Sequence, residues 1–87
     1  MARIHGGSPW TRTAILQLTP DELDQIEAVL PPGMTVMLGA ERRPGTWIVH
    51  LMLKGTPVHR MDGVHHIPTG VVTAVNRWRA AERKVAV

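Results

Sequence analysis

The sequence predicts a single small α+β domain in the order β-α-β-β-β-α, with a mainly antiparallel sheet and two helices packed on one face. Three observations carry this. Thr19-Pro20 is a helix-start signal ahead of an apolar-striped segment that Pro31-Pro32-Gly33 stops. Residues 34–41 and 46–53 alternate with period two on either side of the turn residues Arg42-Arg43-Pro44-Gly45. Residues from about 68 to 84 repeat apolar side chains at helical spacing. A chain of 87 residues is one domain, near the lower end of what can bury its own core.

Residues 1–12 read as a flexible N-terminal arm: they hold Gly6, Gly7 and Pro9 and lack the apolar core of a secretory signal. Residues 13–87 form the domain. Residues 13–18 are short and largely apolar and are expected as the first strand. A helix over 20–30 follows, with Thr19 as N-cap, Glu22 completing a capping box, and Leu23, Ile26, Val29 and Leu30 as its stripe. In the hairpin, Val36, Leu38 and Ala40 share a face with Trp47, Val49, Leu51 and Leu53 when Leu38 sits opposite Val49. Lys54-Gly55 turns the chain into a third strand from about residue 56 to 61 or beyond. A loop of only these two residues sets Val58 against Leu51 and His59 against His50; a three-residue loop reverses the faces. Asp62-Gly63 marks a further turn or a bulge. In the last helix Val71, Ala74, Val75, Trp78, Ala81 and Val85 fall on one side at helical spacing, and Gly70 falls in its first turn.

Composition narrows the function classes. Cysteine is absent, which excludes disulfides, thiolate metal sites and cysteine nucleophiles and fits a reducing cytoplasm. No apolar run approaches the roughly 20 residues of a membrane span. Charge is unevenly spread: Asp21, Glu22, Asp24 and Glu27 crowd the first predicted helix. The remaining chain holds ten basic residues against three acids, a local balance of +7 that favours a polyanionic or acidic partner.

Catalytic groups do not assemble in the sequence. Ser8 is the sole serine and lies in the arm, and Asp62 beside the histidines has no group to activate. His50, His59, His65 and His66 fall within 17 residues, yet His65 and His66 are adjacent and point to opposite sides of a strand. They are expected as sheet-surface histidines, and no metal or cofactor is expected. The sheet face opposite the helices carries Met37, Ile48, His50 and Met52, too apolar a set for a solvated face. The arm with Trp10, a second copy of the chain, or a different protein would cover it. The basic residues are mostly arginine, whose planar fork suits phosphate or carboxylate.

From Thr19 onward the α-β-β-β-α order resembles the topology of double-stranded RNA-binding domains. The Gly-Pro-x-His and Lys-Lys-x-Ala-Lys markers of that family have no counterpart, and the last helix opens with Pro68-Thr69-Gly70-Val71-Val72. Three strands followed by a helix, with Pro44-Gly45-Thr46-Trp47 entering a strand, are also similar to the arm-binding domains of tyrosine recombinases. Both resemblances imply a nucleic-acid partner. Small size, no cysteine and no catalytic motif also resemble the inhibitors that phages and mobile elements encode. Stacking on single strands wants exposed aromatics, and the two best-placed tryptophans are expected in the core. The leading expectation is a non-enzymatic protein whose basic surface (Arg42, Arg43, Arg77, Arg79, Arg83 and Lys84) engages nucleic acid, duplex or structured and mostly through its backbone, or a nucleoprotein complex. The alternative is a protein-binding inhibitor or adaptor acting through Met37, Ile48, His50 and Met52.

Overall fold

Four strands and three helices make up the described residues, 3–43 and 45–85, of the computed structural model. The sheet runs β1 (Ile4–Gly6), β2 (Met34–Ala40), β3 (Trp47–Leu53), β4 (Thr56–Val64), in that spatial order. β1 lies parallel to β2, and the other two pairings are antiparallel. The helices are α1 (Pro9–Leu16), α2 (Pro20–Val29) and α3 (Ile67–Val85). The architecture is α+β as expected, with a mixed sheet and three helices rather than two.

The N-terminal third departs most from expectation. Residues 13–18 do not form a strand; most of them continue α1. Ser8 caps this helix through its hydroxyl, which accepts the Thr11 N–H at 3.3 Å. The Thr11 hydroxyl accepts the Ser8 N–H at 2.9 Å in return. Pro9 fits the first helical position. Ala14, Ile15 and Leu18 pack on the core at helical spacing, while Leu16 is 85% exposed. Six residues of mixed apolar character satisfy either period, and the capping signal at Ser8-Pro9 decides between them. The first strand instead lies within the segment 1–12, where Ile4, His5 and Gly6 pair with Val36, Met37 and Leu38.

Helix α2 follows the sequence closely. The Thr19 hydroxyl accepts the Glu22 N–H at 3.2 Å, and the Glu22 carboxylate accepts the Thr19 N–H at 2.9 Å. At its far end Pro31 and Pro32 have no N–H to offer, so arginines serve the last carbonyls. Arg79 donates to the Val29 carbonyl at 3.5 Å and Arg3 donates to the Leu30 carbonyl at 3.4 Å. Arg3 also donates to the Pro31 and Met34 carbonyls and faces Glu27 at 3.8 Å.

The hairpin register is as read, with Leu38 opposite Val49. Val36, Leu38, Val49 and Leu51 are fully buried and share one core cluster with Ile26 of α2, with Leu30 just after it, and with Val71, Ala74 and Val75 of α3. The β3–β4 loop is Lys54-Gly55, both with positive φ (50° and 82°), as the two-residue turn requires. Beyond it the expected pairing needs correction. A bulge after Pro57 sets His59 against Leu51 and Arg60 against His50, in place of Val58 and His59. Proline cannot donate to a ladder, which confines it to edges and bulges. A second irregularity spans Asp62-Gly63, with Gly63 at φ 68°, and brings Val64 opposite Trp47. Val64 in turn touches Gly70, where α3 approaches the sheet with no side chain between. None of the described helices is long and apolar enough to cross a membrane.

Candidate nucleic-acid interface

Strand directions divide the molecule into two ends. The β2–β3 loop, the close of β4 and the start of α3 share one end, because Trp47 pairs with Val64. β1 runs with β2 and so delivers α1 to this end as well. The β3–β4 loop and the close of α2 lie at the other, because Met34 pairs with Leu53.

The six basic residues are distributed accordingly. Arg42 and Arg43 stand together and exposed on the β2–β3 loop. Arg77 lies beside β4, where it lines a shallow depression with Arg60, Met61 and Asp62. Arg79 and Arg83 are one helical turn apart on α3, and Arg79 is engaged at the end of α2. Lys84 is within α3, and its side chain lies outside the described residues. Around α3, Arg77 diverges from Arg79 and Arg83 and faces β4 at Asp62-Gly63.

Arg42 and Arg43 border a groove of about 480 Å³ between α1 and the β2–β3 loop. Its other lining residues are Trp10, Ala40, Glu41, Gly45, Thr46 and Trp47. The groove continues along α1 past Pro9, Thr13, Ala14 and Gln17. Trp10 is 78% exposed, and Trp47 is half-buried on the face of Val49 and Leu51. The loop is braced from below. Buried Thr46 donates its hydroxyl to the Arg43 carbonyl at 3.0 Å, and the Glu41 carboxylate accepts the Gly63 N–H of β4. Among the described residues neither Arg42 nor Arg43 forms an ion pair. Sequence reasoning placed Trp10 in an arm and missed it as a site residue. The capping signal that begins α1 one residue before Pro9 is what positions it.

The second candidate surface is assembled as the alternation implied. Met37 lies opposite His50, Gly39 opposite Ile48, and Thr35 opposite Met52. The helix-side core uses Val36, Leu38, Val49 and Leu51, so these residues occupy the other face. Met37 is 37% exposed, and Ile48, His50 and Met52 are half-buried. β1 adds His5 beside Met37, and β4 adds Arg60 beside His50.

The histidines do not gather. His50 meets Arg60 and not His59, and His66 turns to Glu22 at 3.4 Å and to the Thr69 hydroxyl at 2.7 Å. Among the described residues no three His, Asp or Glu side chains converge. The Thr19 backbone N–H holds the Glu22 carboxyl below its ordinary value, helped by the Thr19 hydroxyl and His66. This ties α2 to the start of α3 and leaves that carboxylate committed to the scaffold. Comparison with protein-family models, with curated proteins and with solved structures returns no match.

Proposed function

We propose that this chain is a non-enzymatic cytoplasmic protein that binds nucleic acid, or a nucleoprotein, with Arg42 and Arg43 as its principal contacts. The observation that carries the proposal is the pair of adjacent, exposed guanidinium groups on a braced loop, with the neighbouring Glu41 carboxylate hydrogen-bonded to the Gly63 N–H. Planar, permanently charged groups held in this way suit phosphate oxygens, and a braced loop loses less conformational freedom on binding. Arg83 and Lys84, further along α3, would extend the contact for a long polyanion.

Arg42→Ala/Arg43→Ala should weaken binding to a labelled oligonucleotide and reduce the slope of log K against log salt by about 2, roughly one for each lost phosphate contact. Anisotropy titrations at several salt concentrations measure it. A slope equal to that of the wild type would remove the loop from the interface.

A second reading rests on Met37, Ile48, His50 and Met52, which the register gathers on one apolar sheet face. It makes the chain a small inhibitor or adaptor, of the kind phages encode, docking on a protein or on a second copy. Ile48→Glu should then abolish self-association in sedimentation, or the complex with the protein target, while the circular dichroism spectrum stays native. Loss of the native spectrum would assign this face to the core.

A further inference from the structure

We infer that the groove between α1 and the β2–β3 loop receives an unpaired nucleobase, with its ring against Trp10 and Trp47 and its phosphate on Arg42 or Arg43. The ligand class is therefore single-stranded nucleic acid, or a strand with extruded bases. This deepens the proposed function and rests on it.

The argument starts from Trp10. An indole that is 78% exposed on a folded surface leaves a large apolar area in water, and Trp is among the residues most used at contact sites. Trp10 does not stand alone, because Trp47 lines the same groove from the adjoining strand. Both indoles line the groove, and base–aromatic stacking is indifferent to which base is presented. The mouth of the groove is cationic on balance, since both Arg42 and Arg43 border it against the one carboxylate of Glu41. An acyl chain would fill an apolar groove without needing the guanidinium pair. A ring-free polyanion would use the guanidinium pair without needing the indoles. A duplex keeps its bases stacked and presents mainly phosphates to such a loop. A nucleotide within a single strand matches both halves of the site at once.

The test uses the chain's own fluorescence, which comes from its three tryptophans because tyrosine and phenylalanine are absent. The full chain is titrated with a twelve-residue oligothymidylate and with a duplex of equal length. For the single strand, quenching of emission is expected, with affinity above that for the duplex. Trp10→Ala should lose most of the quenching and weaken binding roughly ten- to a hundredfold, with an unchanged salt slope. Trp10→Phe should restore much of the affinity, since it keeps an aromatic face. The exposure of Trp10 means that these variants should fold, which circular dichroism checks. Undiminished affinity in Trp10→Ala, or a duplex bound as tightly as the single strand, would overturn the inference. If Arg42→Ala/Arg43→Ala then still flattens the salt slope, the broader function stands without the groove. Absence of binding to either oligonucleotide at low salt would bring down both.

Discussion

Gly6→Ala is expected to destabilise the fold by about 1–3 kcal/mol and to impair the groove together with it. A Cβ at this position would lie 2.5 Å from the Thr11 hydroxyl, 2.7 Å from the Arg12 nitrogen and 2.9 Å from the Thr11 carbonyl carbon. Two of those atoms are backbone, and Thr11 is fully buried, so no flexible side-chain end can swing away. The hydroxyl is itself committed, donating to the Ser8 carbonyl at 2.8 Å while accepting the Ser8 N–H. Relief requires α1 to lift from β1, which moves Trp10 relative to Trp47. In a domain of this size each kcal/mol lowers the melting midpoint by about 4–8 °C. Thermal denaturation and oligonucleotide quenching should therefore fall together. An unchanged midpoint would mean that the contact between β1 and α1 is looser than described.

Gly70→Ala is expected to lose about 1–2 kcal/mol, against the usual preference of helices for alanine. The added Cβ would overlap Val64 Cγ1 and lie 3.1 Å from Cγ2 and 3.3 Å from Cβ. Val64 is buried, and its β-branch leaves it little rotamer freedom to retreat. The helical gain is small because Gly70 sits in the first turn of α3. The double variant Val64→Ala/Gly70→Ala removes the clash and should recover part of the loss. Denaturant titration of the four proteins in this cycle gives the coupling directly. Additive effects would place the origin of the loss outside the Val64 contact.

How far the fold was legible follows from where its signals are local. Thr19-Pro20 with Glu22, closed by Pro31-Pro32, states both ends of α2 within a dozen residues. The alternation in β2 and β3 states their shared face, and Leu38 meets Val49 accordingly. β1 is only three residues long and acquires its identity by pairing with Val36–Leu38 some thirty residues later, which no local pattern encodes. The bulges of β4 are backbone events: Pro57 and Asp62-Gly63 announce irregularity without stating which way the register moves. At the site, Arg42 and Arg43 were legible as a hairpin tip and the outer sheet face as a period-two stripe. Trp10 was not, because its exposure beside the loop depends on α1, whose apolar residues equally suited a strand.

The most direct test of the central claim is anisotropy of a labelled single-stranded oligonucleotide, titrated with the wild-type chain at low and near-physiological salt. Binding that weakens steeply with salt, and exceeds that of a matched duplex, is the predicted result. No binding at low salt would contradict the claim and shift function to the face of Met37, Ile48, His50 and Met52.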